Sequence, residues 1–225
     1  MDLLNWRWLP NAITLTRCGL ALLVGWLILQ LGGGSVLEVD PADTAEIQLD
    51  YPQYWSSLWP LLVFILTALS DFLDGYLARK LNAESEFGAF WDPIADKLLV
   101  AASLLALCHL YQWKLFLLIP TLIILTRDAL VTAMRLIPNV NLPVSRLAKY
   151  KTAAEMLAIS LLLFALAWVE LYPWVHNTVF ESGLLSIFSL HHVGLHSLGL
   201  VILSLAAGLA GWTGWVYLTR FWNSK

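Results

Sequence analysis

The stretch Ser70–Val100, SDFLDGYLARKLNAESEFGAFWDPIADKLLV, decides how the rest of the chain is read. Four carboxylates, Asp71, Asp74, Asp92 and Asp96, stand on segments otherwise made of Leu, Ile, Phe, Trp and Ala. Asp71 and Asp74 are spaced i,i+3, and Asp92 and Asp96 i,i+4, so on helices each pair shares a face with Cβ atoms about 5–6 Å apart. If the two helices are antiparallel neighbours joined by a turn near 81–86, both pairs lie at one depth and converge on one small volume.

The surroundings of this stretch are those of a membrane protein. Of the 225 residues, 59% are hydrophobic and 13% charged, and the mean hydropathy is +0.71. A soluble domain is about 45–50% apolar and about 25% charged. Twelve Trp and seven Tyr suit the two bilayer interfaces, where amphipathic rings settle. Cys18 and Cys108 lie in apolar segments and read as small buried hydrophobes, not as a disulfide framework. Nothing in the charge pattern suggests a nucleic-acid partner.

A span needs about 20 mainly apolar residues, and six are expected, near 12–31, 56–78, 89–111, 115–136, 152–172 and 197–219. The expected fold is therefore an all-α integral membrane protein of six transmembrane helices, forming one domain over 1–225. MDLLNWRWLP at the start offers an N-terminal interfacial helix anchored by Trp6 and Trp8 and ended by Pro10. Residues 1–35 also imitate a signal peptide, but the polar motif at Asn11 favours a retained first span.

Charge sets the expected orientation. Residues 32–57 carry Glu38, Asp40, Asp43, Glu46 and Asp50 and no base, whereas Arg135, Arg146, Lys149 and Lys151 stand in a segment without acid. Short Lys- and Arg-rich loops stay cytoplasmic. Six spans put Arg7, Arg17, Arg79, Lys80, Arg220 and Lys225 on that same side. Both termini and the aspartates then face the cytoplasm, with a bacterial cytoplasmic (inner) membrane as the expected location, and 32–57 and 173–196 form the non-cytoplasmic loops.

Four close carboxylates in a low-dielectric site need cations. An all-oxygen donor set selects Mg²⁺ or Mn²⁺, or Ca²⁺, over zinc or copper. Four acids suit two ions about 3.5–4 Å apart, a spacing that clamps phosphoryl chemistry, and Mg²⁺ favours a site shared with substrate phosphates. A diphosphate substrate follows. Acids solvated at the helix ends are the plainer alternative, and paired helical spacing argues against it. Gly75 and Ala78 lie within a turn of the first acids and Gly88 one turn before Asp92, so a ligand or a helix can approach closely. Pro93 either kinks the third span or starts it with Asp92 as cap.

The pattern D71-x2-D74-G75-x2-A78-R79-x8-G88-x3-D92-x3-D96 resembles the signature of the CDP-alcohol phosphotransferase family at every fixed position. The resemblance covers Asn11 to Met156 and the remainder by hydropathy. It implies a six-span fold, a homodimer, and divalent-metal-dependent transfer of a phosphatidyl or similar group from a CDP-linked donor to an alcohol, with release of CMP. It implies Asp71, Asp74, Asp92 and Asp96 as ligands of two divalent cations, with Asp96 doubling as the general base. It puts Gly75, Ala78, Arg79, Ser85 and Gly88 near the CDP portion of the donor, although Ser85 stands where many members have Thr. LPNAITLTR is similar to the family's first-span entry, which implies Asn11 and Thr14 in the nucleotide pocket. A helix cap is the other reading of Asn11, and Arg17 reads as a snorkelling side chain.

The acceptor is argued from basic residues. Arg127 follows an apolar run and needs an anionic partner. Arg135 lies eight residues on, near the same face, and Lys149 and Lys151 follow in SRLAKYKTAAEM. Arg suits bidentate phosphate capture and Lys adds point charges, so the acceptor is expected to carry a phosphate. Marking the cytoplasmic side or meeting lipid headgroups is the plainer role for Arg146, Lys149 and Lys151. The RD after the apolar run and KYKT are similar to the phosphatidylglycerophosphate synthase branch, which implies CDP-diacylglycerol and sn-glycerol 3-phosphate as substrates. The 32–57 and 173–196 segments are longer than in that branch. Inositol phosphate or phosphatidylglycerol as acceptor, and a divalent-cation transporter using the same acids, are the competing readings. His192 and His196, i and i+4, read as interfacial polar residues and not as a metal pair.

Overall fold

The computed structural model describes residues 9–31, 57–81, 86–135, 146–179 and 185–223, and among them all regular structure is helical. The helices are α1 (Leu9–Gln30), α2 (Leu58–Leu81), α3 (Glu86–Leu110), α4 (Leu115–Arg135), α5 (Arg146–Val179) and α6 (Leu185–Asn223). Each overlaps one of the six expected spans. Three, over Leu115–Met134, Tyr150–Trp168 and Val193–Thr219, are long and apolar enough to cross a membrane, and Thr14–Gln30, Leu58–Ser70 and Lys97–Leu110 are shorter apolar runs. Residues 1–8, where the interfacial helix was expected, and the acidic 32–56 lie outside the described residues.

The main departure concerns 173–196, expected as a loop. Residues 173–179 extend α5 and 185–196 open α6. A helix satisfies every internal N–H and C=O where water is scarce. The 34 residues of α5 and the 39 of α6 rise about 51 and 58 Å at 1.5 Å each, well beyond a hydrocarbon core of about 30 Å. Asp92 is not a cap: α3 starts at Glu86, and the assigned helix continues through Pro93. Asn11, too, lies inside α1 and not at its cap.

The interior is a layer of small and branched side chains shared by all six helices, with Val24 and Ile28 of α1, Phe64 of α2, Leu104 and Leu107 of α3, Ile124 of α4, Ile159 and Leu162 of α5, and Leu203 and Ala207 of α6. α1 lies along α3 and α2, α5 along α6, and α4 against both α3 and α6. Glycine permits the closest approach: a Cβ on Gly25 would meet the Ala102 Cβ at 3.2 Å and the Ala102 carbonyl oxygen at 3.3 Å. The outer surface is apolar instead of charged, with Leu66, Leu115, Leu205, Trp212, Trp215 and Trp222 all exposed, as suits a surface facing lipid tails.

α3 and α4 form a tight hairpin. The Trp113 N–H donates to the Cys108 carbonyl at 2.7 Å and the Lys114 N–H to the Tyr111 carbonyl at 3.1 Å. The turn places Gln112 and Trp113 at φ of 51° and 58°, a left-handed pair that non-glycine residues adopt only under tertiary constraint. Part of that constraint is aromatic: Tyr111 stacks on His196 at 5.3 Å and meets Phe116 edge-on. His196 is thus a packing partner in an aromatic cluster. Cys108 is buried and unbridged, as expected, with its thiol against the Thr121 hydroxyl.

Candidate active site

For the first half of the expected site the structure gives only the helices that carry it. Asp71 and Asp74 lie on α2, and Asp92 and Asp96 on α3. Asp71 is ten residues from the end of α2 and Asp96 ten from the start of α3; Asp74 and Asp92 are seven and six away. Only 82–85 separate the two helices, so Leu81 and Glu86 can be no further apart than about 18 Å. The side chains of all four aspartates, and those of Asn11, Ala78, Arg79, Arg135 and Lys149, lie outside the described residues, as do Ser85 and the surroundings of Gly75 and Gly88. Thr14 is described: it is buried on α1, 3% exposed. Arg17, one turn further, is also buried at 4%, so it does not snorkel to the surface as expected.

The second half is resolved in detail. Lys97, the residue after Asp96, donates from Nζ to Asp128 Oδ2 at 2.6 Å. The hairpin explains this pairing. Lys97 lies fourteen residues before Tyr111, and Asp128 fourteen after Lys114, so equal helix lengths bring them to one level. Asp128 Oδ1 accepts from Lys151 Nζ at 2.6 Å and from Arg127 Nη1 at 2.9 Å. One carboxylate thus gathers cations from α3, α4 and α5.

Lys151 is wholly buried, and its Nζ also lies 2.9 Å from Oε1 of Glu155, one turn along α5. That approach is an ion pair by distance, but neither Glu155 oxygen makes a well-angled hydrogen bond among the described residues, and the residue is 1% exposed. Arg127 is held from α6. Its Nε donates to the Thr213 hydroxyl at 3.2 Å, and its guanidinium carbon lies 5.6 Å from the centre of the Tyr217 ring. A Cβ on Gly214 would come within 3.1 Å of Arg127 Cγ, so the arginine stem lies directly on the α6 backbone.

Three cations against two carboxylates leave this cluster one formal positive charge. Buried charge is tolerated only when paired and hydrogen-bonded, and the residual charge makes the place receptive to an anion. Of the residues expected to meet an acceptor phosphate, the structure therefore brings Arg127 and Lys151 together. Lys97, Asp128 and Glu155 were not anticipated as site residues. Their signal was present as acids and bases inside apolar helices, together with the equal spacing of Lys97 and Asp128 about the α3–α4 turn. Thr213 carries no such signal, because a lone Thr in an apolar helix usually bonds its own backbone.

Comparison with known proteins gives the family. Residues 7–217 match the model of the CDP-alcohol phosphatidyltransferase family. A CDP-diacylglycerol–glycerol-3-phosphate 3-phosphatidyltransferase from Cereibacter sphaeroides is 33% identical over 182 residues, covering 74% of this chain and 82% of that protein. The second such enzyme of Arabidopsis thaliana is 33% identical over 184 residues, covering 76% of this chain and 70% of its own length. The Escherichia coli K12 protein of the same name is 38% identical over 126 residues, covering 53% and 68%. These relatives bear the names of enzymes, not of cation carriers. With helices apolar enough to span a bilayer, the match describes an integral membrane transferase of phospholipid biosynthesis. The chain belongs to the CDP-alcohol phosphatidyltransferase family.

Proposed function

We propose that this enzyme transfers the phosphatidyl group of CDP-diacylglycerol to sn-glycerol 3-phosphate, giving phosphatidylglycerophosphate and CMP. The observation that carries the choice of acceptor is the buried cluster of Lys97, Arg127 and Lys151 around Asp128. Its member Lys97 follows Asp96 in sequence, which supports an anion-receptive site at the level of the acids that would manage the donor. An uncharged alcohol would gain nothing from it. The names of the relatives point to the same pair of substrates.

The donor's CDP portion would lie among Asn11 and Thr14 of α1, Gly75, Ala78 and Arg79 of α2, Gly88 of α3, and Ser85 between α2 and α3 in sequence. The donor set of Asp71, Asp74, Asp92 and Asp96 is chemically suited to two Mg²⁺ or Mn²⁺ ions, which when bound would neutralise the diphosphate oxygens. Arg127 and Lys151, with Arg135 and Lys149 nearer the ends of α4 and α5, would hold the acceptor's phosphate and so aim its hydroxyl. Asp96 would take the hydroxyl proton as the oxygen attacks the phosphorus bearing the diacylglycerol. The bond from that phosphorus to the bridging oxygen of the diphosphate breaks, and CMP leaves with the electron pair. The same reading places six spans in a bacterial inner membrane, with termini and active site cytoplasmic, and pairs the chain as a homodimer.

An acceptor screen tests this. Purified enzyme with CDP-diacylglycerol and Mg²⁺ should release CMP when sn-glycerol 3-phosphate is supplied, and not with inositol phosphate or phosphatidylglycerol. Turnover confined to either of those would overturn the acceptor, and no CMP release with any alcohol would overturn the reaction.

A further inference from the structure

Arg127 lies on α4, yet much of what surrounds its side chain comes from α6, a helix whose one Lys, Arg, Asp or Glu is Arg220, near its end. The donors and acceptors can be counted. The Thr213 hydroxyl donates to the Leu209 carbonyl at 2.8 Å, leaving its lone pairs to accept from Arg127 Nε at 3.2 Å. A guanidinium has five N–H groups. Nε spends one on Thr213 and Nη1 one on Asp128. Both hydrogens of Nη2 and the second of Nη1 make no hydrogen bond among the described residues. The stem rests where Gly214 has no Cβ, and Tyr217 lies beneath the cation. Thr213, Gly214 and Tyr217 are i, i+1 and i+4, so a single turn of α6 supplies the support.

We infer that this turn of α6 is a positioning element for the acceptor: Thr213 and Gly214 fix the roll and depth of the Arg127 guanidinium so that its Nη1–Nη2 fork faces a phosphate oxygen pair. The inference rests on the proposed reaction and adds to it that acceptor affinity is set by residues more than eighty positions away in sequence. A guanidinium free to rotate would lose the bidentate geometry that makes Arg better than Lys for phosphate. Thr213 does not touch substrate. It acts through Arg127, and its loss should change how tightly the acceptor is held and not how fast the bound acceptor reacts.

Thr213→Val keeps the shape and removes the oxygen. The expected result is a rise of about tenfold in KM for sn-glycerol 3-phosphate, the usual scale for one hydrogen bond to a charged group. The kcat and the KM for CDP-diacylglycerol should stay within about twofold. Thr213→Ser restores the oxygen and should restore the acceptor KM. Gly214→Ala leaves the hydroxyl in place but crowds the arginine stem, and should raise the acceptor KM by a few-fold, which gives an independent reading should the valine variant fail to fold. An unchanged acceptor KM in both Thr213→Val and Gly214→Ala overturns the inference. So does a serine variant as poor as the valine one, or a shift of equal size in kcat and in the donor KM. Should the wild-type enzyme use a different phosphorylated alcohol, the acceptor assignment fails on its own, and the same KM ratios for that alcohol decide the role of α6.

Discussion

Asp71, Asp74, Asp92 and Asp96 come from two helices adjacent in sequence, at spacings of three and four residues, and they outnumber the bases immediately around them. Lys97, Arg127, Asp128, Lys151, Glu155 and Thr213 come from α3, α4, α5 and α6, and their charges nearly cancel. On the proposed reading the first group suits exchangeable cations, as a concentration of hard oxygen donors. The second, on the same reading, suits a reversible anion, with cations already desolvated and a small excess of charge. Lys97 links the two, one residue from Asp96 and bonded to Asp128. On the proposed reading, charge balance inside a membrane protein separates a place that recruits ions from one that orients a substrate.

The largest effect that would break this comparison is at Asp96. Asp96→Asn should lower CMP release by about 10²–10⁴-fold while the melting temperature in detergent and the acceptor KM stay near wild type. A large loss of acceptor affinity in that variant would show that the two groups are not separable. Asp128→Ala comes next. It strands three cations, and breaking a buried pair costs about 3–5 kcal/mol, so thermal unfolding should move sharply down and the acceptor KM up while the donor KM holds. A variant as stable as the parent would remove Asp128 from the centre of the network.

Lys97→Met tests the link between the groups. Its side chain is one-third exposed, so solvent screens the pair, and a change of a few-fold in acceptor KM with little change in melting is expected; a change in the donor KM instead would assign Lys97 to the aspartate group. The smallest effect belongs to Glu155→Gln. It keeps the shape and raises the excess charge of the cluster by one, so the acceptor KM should fall by a few-fold at low salt, and less at high salt. A raised KM would mean that Glu155 contacts the acceptor or orients Lys151.

Legibility from sequence followed the range of the interaction. The six helices, three of them long and apolar enough to span, were readable because about 20 apolar residues must be contiguous to cross a bilayer. The aspartate pairs were readable because helical neighbours are three or four residues apart. Asp128 stood in plain view beside Arg127, yet as one acid among many its role was invisible until Lys97 and Lys151 were seen to reach it. The extent of α5 and α6 was misjudged because 173–179 and 185–196 mix His and polar residues with apolar ones, a composition that suits an interfacial helix as well as a loop.

The order of residues alone determined the membrane class, the six helices, the aspartate signature and the excess of positive charge around 127–151, since each depends on neighbours along the chain. Only the tertiary structure decided which charges meet: that the turn at 111–114 brings Lys97 level with Asp128, that Lys151 is buried against two carboxylates, and that α6 cradles Arg127 with Thr213 and Gly214. The physical reason is that helix formation and membrane burial are governed by local composition, whereas pairing of buried charges is governed by helix packing, in which a glycine's missing Cβ and the length of a turn set the level at which distant residues face each other.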